Sequence, residues 1–179
     1  QMCIGESFGG ALAAMLGARA ETEVRGLLEQ LVQLQLVLWE GRRYGFHDLV
    51  RVFGRETLAE GRERELAGVA LGWYDDNANR SDKYLTPKHR RPIEESLVSE
   101  WEQPLESIEK TLDSMAMEWF LAEHRKLIRA VDWSQALDEH QITVSLTRNL
   151  VDFFDLHGFW RAWVATHQGA LKSAWARGE

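Results

Sequence analysis

The sequence has little cysteine and little proline, and it lacks long apolar runs. Its one cysteine, Cys3, excludes an intramolecular disulfide framework and a cysteine-based zinc site. No apolar run reaches about 18 residues, so no segment is typical of a transmembrane helix. The first residues carry neither the basic flank nor the apolar centre of a signal peptide. The three prolines all lie within 87–104, which leaves the rest of the chain free to form helices. These absences predict a cytoplasmic, mostly α-helical protein.

What the chain does contain indicates a folded protein with an acidic balance. Of its 179 residues, 45% are apolar and eight are tryptophan, which is too rich in large apolar side chains for a disordered chain. The length allows one domain or two small ones. The formal charge of −7 argues against nucleic acid as the main partner.

Residues 1–60 are predicted to form a winged helix. Apolar spacing and turn residues predict, in order, a short helix ended by Gly17, a helix over 21–35, strands over 36–39 and 44–47 around a turn at 40–43, and a helix capped by Asp48. The inner face of that last helix is predicted to hold Leu49, Val52 and Phe53. The usual first helix of a winged helix would have to precede Gln1, so we expect this domain to be truncated.

Residues 61–179 are predicted to form a helical bundle that leads into tetratricopeptide-like repeats. The patterns predict a helix over 63–84, a linker over 85–91, a long helix from Asp113, a helix from Ile142 that ends at His157 and Gly158, and a last helix from Phe159. Short helices are expected on either side of Pro104. Two antiparallel helices joined at Gly158 make the unit of a tetratricopeptide-type solenoid, although the small-residue pattern of such repeats is incomplete here.

Several of these stretches resemble one family. Residues 12–17, 27–32 and 44–51, with the segment Phe46-His47-Asp48-Leu49 as the most specific part, resemble the winged-helix region of STAND-class (NB-ARC) nucleotide-switch proteins. The similarity is greatest to bacterial transcriptional regulators of the SARP type. Residues 118–124 and 154–171 resemble the start of their tetratricopeptide-like sensor region.

The resemblance implies a regulatory role for this part of a longer protein. His47 would contact the diphosphate of a nucleotide held by an upstream nucleotide-binding domain, and Asp48 would support it. The parent protein would bind ADP or ATP with magnesium, contact DNA through a separate domain, and receive a signal or a protein partner on its helical region. The phosphate-binding loop and the magnesium-binding strand would lie upstream of Gln1, so no cofactor and no enzymatic activity are expected of residues 1–179 alone.

Two other interpretations of the first sixty residues remain open. His47 could simply end a strand while Asp48 caps a helix. A winged helix could also bind DNA through its second helix, with Arg42 and Arg43 of the turn as phosphate contacts. That helix carries a net charge of −2, however, and residues 1–60 contain six basic against eight acidic side chains. A purely helical protein-interaction module is the remaining alternative.

Three further patterns are interpreted as structural. Gly5-Glu6-Ser7-Phe8-Gly9 matches the nucleophile elbow of α/β-hydrolases, but no strand precedes it and no βαβ alternation follows it, so a catalytic Ser7 is rejected. The scattered histidines lack the spacing of metal ligands. The tryptophans are predicted to pack in the core at helical spacing: Trp101, Trp119, Trp133, Trp160, Trp163 and Trp175.

Overall fold

The computed structural model describes residues 7–58, 61–85 and 102–178. The described chain is mostly α-helical with one small antiparallel hairpin and a helical bundle, which confirms the predicted fold class. In chain order the elements are α1 (Gly10–Gly17), α2 (Glu21–Gln33), β1 (Val37–Trp39), β2 (Tyr44–Phe46), α3 (Asp48–Thr57), α4 (Arg62–Leu85), α5 (Glu102–Ala136), α6 (His140–Asn149), α7 (Val151–His157) and α8 (Trp160–Arg177).

The chain divides into two compact units, Gln1–Trp73 and Tyr74–Glu179. This division falls inside α4, whereas the division at Gly61 drawn from the sequence precedes that helix. Apart from Leu85, which ends α4, the predicted linker over 85–91 lies outside the described residues. None of the helices in the described ranges is long and apolar enough to cross a membrane.

The first unit is organised around a hairpin that gains a third backbone partner. In the hairpin, Val37 faces Phe46 and Trp39 faces Tyr44. Phe8, which precedes α1, pairs antiparallel with Tyr44 through two backbone hydrogen bonds of 2.7 and 2.8 Å. The order of strand segment, two helices and hairpin is the one expected for a winged helix after its first helix, but the sequence analysis did not identify Phe8 as a strand residue.

The apolar core of this unit lies between the hairpin and the two helices that precede it. α2 contacts both α1 and β1. The buried apolar side chains that these elements contribute are Phe8, Leu12, Ala14, Val24, Leu28, Val37 and Tyr44. Most of them follow the predicted helical and strand periods, but Met15, Leu27 and Leu34 of the same pattern are exposed, so the sequence pattern identified only part of this core.

The end of α1 differs from the prediction by one residue. Gly17 is the last helical residue, and Ala18 takes the left-handed conformation with φ 49°. The Arg19 N–H then donates to the Ala14 carbonyl at 3.1 Å. Of the two hydrogen bonds of a Schellman motif, this is the one that spans more residues. A glycine at Ala18 would adopt this conformation without the steric cost that a Cβ imposes.

The long helix predicted from Asp113 begins earlier, at Glu102, and includes Pro104, where short helices were expected; the segment before Glu102 lies outside the described residues. α5 runs without interruption from Glu102 to Ala136, and Pro104 lies in its first turn. Proline is tolerated there because the N–H groups of the first turn have no intrahelical partner to lose.

A second difference lies at Leu150, where one predicted helix is two. The Leu150 N–H donates to the Thr147 carbonyl at 3.3 Å in a tightened last turn of α6, and the Leu150 carbonyl accepts the first bond of α7 from Phe154. The apolar spacing continues through this break because Leu150, Phe153 and Phe154 are all fully buried. Periodicity alone therefore could not indicate it.

Aromatic rings fill the core at this break. Phe153 stacks on Phe120 of α5 with ring centroids 5.2 Å apart, and it also contacts Phe154 and Phe159. His124 stacks on Phe159 with centroids 5.3 Å apart. These contacts join α5 to α7 and to the turn that precedes α8, and α8 itself packs on α5, α6 and α7.

We predict that Ala18→Gly stabilises the protein. The substitution removes the steric cost of a left-handed alanine, which outweighs the extra freedom glycine gains on unfolding, so the free energy of unfolding should rise by about 0.5–1 kcal/mol. Chemical denaturation measures it. Ala11→Gly, at an exposed position in the first turn of the same helix, is the matched control and should not stabilise the protein. A lower stability of the Ala18→Gly chain would contradict the left-handed assignment.

Candidate functional site

The residues that the sequence assigned to nucleotide sensing lie where the hairpin joins α3. β2 ends at Phe46, and the His47 carbonyl accepts a hydrogen bond of 3.0 Å from the Arg51 N–H. His47 therefore occupies the capping position, and Asp48 is the first residue of α3. The structure brings the two residues together as expected, but the predicted cap at Asp48 lies one residue too late.

Arg51 holds this junction together, and the sequence analysis did not identify it. One guanidinium nitrogen donates to the Phe46 carbonyl at 3.3 Å, and the other lies 3.6 Å from the Asp48 carboxylate. Arg51 thus links the last residue of β2 to the first residue of α3. The only signal in the sequence is the i, i+3 spacing of Asp48 and Arg51, which is too common to single out a site.

The junction exposes groups that can bind an anion. The side chains of His47 and Asp48 are both exposed. The first N–H groups of α3 have no carbonyl partner within the helix, and the helix dipole adds partial positive charge there. An imidazole N–H beside them can donate to a phosphate oxygen. Asp48 opposes an anion by its own charge, which the nearby Arg51 guanidinium partly offsets.

Arg42 and Arg43, the candidate phosphate contacts, lie at the other end of β2. Three strand residues separate Arg43 from His47, so the two residues lie about 13 Å apart along the strand. The Arg43 guanidinium donates to the Ser7 hydroxyl oxygen at 3.0 Å and to the Ser7 carbonyl at 3.3 Å. Arg42 is exposed next to Gly41, whose φ of 75° allows the tight turn. Arg43 therefore supports the hairpin, whereas Arg42 faces solvent.

The face of α3 that was predicted to point inward is exposed. Leu49 is 83% exposed and Phe53 is 66% exposed, and Val52 between them is also exposed. The helical spacing was right, because the three residues share one side of the helix, but the assumption that this side faces the core was wrong. Apolar side chains at i, i+3 and i+4 on an exposed helix face are typical of a surface that another protein element covers.

The structure gives the other candidate residues structural surroundings. Ser7 bonds to Arg43 and immediately precedes the short pairing of Phe8 with Tyr44, not a sharp strand-to-helix turn in a parallel sheet. Gly5 and Glu6 of the elbow pattern, and Cys3, lie outside the described residues. Within residues 7–58, 61–85 and 102–178, no group of three or more His, Cys, Asp or Glu side chains is placed to hold a metal ion.

The tryptophans only partly follow the prediction of core packing. Trp119, Trp133 and Trp163 are half-buried, but Trp160 and Trp175 are exposed, so the assignment of these two to the core was wrong. Trp101 lies outside the described residues.

The second unit contains a cluster of buried and half-buried acidic side chains that the sequence analysis did not identify. Asp75 and Asp82 are seven residues apart on α4 and therefore share a face. Burial raises the pKa of Asp75, while a hydrogen bond to Ser145 of α6 lowers it. Burial raises the pKa of Asp82 to about 6, the negative charge of Asp152 on α7 adds to the rise, and Arg148 opposes it. Asp152 comes from a different helix than Asp75 and Asp82, so no local motif could identify the cluster.

Comparison with known proteins adds no relative: no family model, no curated protein and no solved structure matches this chain. The assignment of a site therefore depends on the geometry of the β2–α3 junction and on the resemblance described above.

The raised pKa of Asp82 predicts a contribution to the free energy of unfolding that is lost as the pH rises. The pKa of about 6 in the folded state exceeds the ordinary value of 3.8, so the folded state holds the proton more tightly. This contribution is complete below about pH 3.8 and is lost as the pH rises through 6. Asp82→Asn should remove this pH dependence. Between pH 4.5 and pH 7 the free energy of unfolding of the variant should therefore rise by about 1 kcal/mol relative to the parent, after allowance for partial exposure to solvent.

Urea denaturation at both pH values measures this difference. Asp155→Asn, at an exposed position of α7, is the matched control. Its free energy of unfolding relative to the parent should change less between the two pH values than that of Asp82→Asn. An Asp82→Asn variant whose stability relative to the parent is the same at both pH values would contradict the interpretation.

Proposed function

We propose that residues 1–60 form the winged helix of a cytoplasmic nucleotide-switch transcriptional regulator, which packs on an upstream nucleotide-binding domain and senses ADP or ATP. The observation that carries this proposal is the juxtaposition at the β2–α3 junction. An exposed imidazole, His47, adjoins an exposed apolar helix face formed by Leu49, Val52 and Phe53. A docked domain would cover the apolar face and at the same time bring its bound nucleotide to the imidazole.

The two parts of this surface have separate roles. The apolar face supplies most of the docking energy, because burying a large aliphatic or aromatic side chain is worth about 1.5–3 kcal/mol. His47 supplies the dependence on the nucleotide, because a hydrogen bond to a charged phosphate is worth about 1.5–3 kcal/mol and is made only when the phosphate is present. The Arg51 contacts link the end of β2 to the start of α3, so they hold His47 in place relative to the apolar face.

The switch is a shift between two populations. In the closed state the winged helix contacts the ADP-loaded domain, and ATP together with a signal on the helical region favours an open state. The second unit supplies that helical region, with α7 and α8 joined at Gly158 as a helical hairpin. DNA binding is assigned to another domain, because Glu21, Glu23 and Glu29 make α2 acidic.

His47→Ala tests the sensing role in the full-length protein. Loss of a charged hydrogen bond should make ADP release about 10- to 100-fold faster without loss of the fold, as a labelled-ADP displacement assay measures. His47→Gln, which keeps a side-chain N–H donor, should restore part of the retention. His167→Ala, at another exposed histidine, is the control. Unchanged ADP release in the His47→Ala protein, or no nucleotide bound to the full-length protein, would contradict the proposal.

Leu49→Glu tests the docking role. In residues 1–179 alone the change should alter the free energy of unfolding by less than about 0.5 kcal/mol, because the side chain is already exposed. In the full-length protein it should open the closed state and accelerate ADP release by about tenfold or more. Met15→Glu, at an exposed apolar residue of α1, is the matched control. Equal effects of the two substitutions on ADP release would show that α3 is not the docking face.

A further inference from the structure

α8 buries its small side chains and exposes its large ones, the reverse of an ordinary surface helix. Thr166, Gly169 and Ser173 form its buried face. A Cβ added at Gly169 would lie 2.9 Å from the side-chain oxygen of Gln135, so Gly169 faces α5. This face is therefore already packed inside the second unit.

The opposite face of α8 carries an apolar stripe, which we call the outer stripe. Its members are Trp160, Val164, Leu171 and Trp175, which are 58%, 59%, 50% and 68% exposed. At about 100° per residue the four lie within about 60° of one another, on the side away from Thr166 and Ser173. The stripe is about 22 Å long. Side chains of this size on one exposed line are typical of an interaction surface.

The outer stripe is symmetric along the helix. Its residues are separated by four, seven and four positions, so the pattern is the same in both directions about a point between His167 and Gln168. A twofold axis through that point brings Trp160 of one copy to the partner's Trp175, and Val164 to the partner's Leu171. A surface that pairs with itself in this way is what an isologous dimer requires.

The side chains at one end of the stripe are ordered before any partner binds. Trp160 and Trp163 stack with ring centroids 5.6 Å apart and planes 14° from parallel. The Trp163 indole N–H donates to His167 at 3.3 Å, and the His167 ring donates to the Trp163 carbonyl at 2.9 Å. Since these rings are already held, their association costs less conformational entropy.

We propose that the outer stripe is a homodimer interface, in which α8 packs antiparallel on α8 of a second copy of this chain. One helix pair of this length buries less than the about 1,600 Å² of a standard interface, so we expect a dissociation constant in the micromolar range.

The charges beside the stripe distinguish a second copy from other occupants. Arg161 and Lys172 are exposed on one flank, and the sequence 160–177 contains no acidic residue. In the antiparallel pair Arg161 approaches the partner's Lys172, and each copy carries a formal charge of −7. Salt screens both repulsions, so it should strengthen the dimer. An acidic helix or an anionic membrane on the same face would bind more weakly as salt rises.

Sedimentation equilibrium of residues 1–179 tests the proposal. We expect a monomer–dimer equilibrium whose dissociation constant falls as the salt concentration rises from about 50 to about 500 mM. Over this range the Debye length shortens, so the repulsion between like charges is screened more strongly. Trp160→Glu should weaken the dimer about 100-fold, at about tenfold for each of its two contacts. Met115→Glu, an equal change at an exposed apolar residue of α5, is the control and should leave the dimer intact. Circular dichroism verifies that both variants remain folded.

A mixing experiment tests the antiparallel register. Trp160→Glu and Trp175→Lys should each weaken the homodimer about 100-fold when alone, but an equimolar mixture of the two chains should form a tighter heterodimer, since position 160 of one copy meets position 175 of the other. A parallel pair would show no rescue. The proposal is overturned if the unmodified chain is a monomer at about 200 μM, a concentration far above a micromolar dissociation constant. It is also overturned if Met115→Glu weakens the dimer as much as Trp160→Glu does, or if salt weakens the dimer. A mixture of the two variants that stays monomeric overturns it as well.

Discussion

The pairing of Phe8 with Tyr44 is the interaction on which the first unit depends. Two backbone hydrogen bonds join the segment before α1 to the first residue of β2, and this pairing brings Ser7 to the guanidinium of Arg43. Phe8 also stacks on Phe46 at the far end of the same strand, with ring centroids 5.0 Å apart. Both ends of β2 are thus fixed, and His47, one residue further on, takes its position from them.

The same constraint extends to the junction between β2 and α3. Arg51 bonds back to Phe46, so the start of α3 is attached to a strand that is itself held on two sides. The rest of α3 has no comparable attachment within the described part of the first unit, and its apolar side chains face solvent. The first unit therefore presents a hydrogen-bonded polar junction beside an exposed apolar helix face.

Periodicity predicted the elements well but not which of their faces would be buried. It located α2, the hairpin, α3 and α8 to within a few residues, and it identified Val24 and Leu28 as core. It failed for Leu49 and Phe53, because the spacing shows which residues share a side of a helix and not what lies against that side. The error at Trp160 and Trp175 has the same origin.

Other features depend on contacts between residues distant in the sequence. Burial and the negative charge of Asp152, 70 residues further along the chain, raise the pKa of Asp82, and the pairing of Phe8 needs a strand 36 residues away. The Arg51 bonds are local but have no distinctive pattern. Of the candidate site, the sequence could identify His47 and Asp48 only through a resemblance to a family, whereas the bonds that hold them follow from the fold.

The stacked indoles of Trp160 and Trp163 have an optical consequence. Two indoles with centroids 5.6 Å apart couple their strong far-ultraviolet transitions, so the pair adds a contribution to the circular dichroism that depends on the angle between the two transition dipoles. This signal depends on the geometry of the first turn of α8 and vanishes when that turn frays, even if the remaining helices persist. The beginning of α8 therefore carries its own spectroscopic reporter, one that distinguishes local fraying from unfolding of the whole chain without any added label.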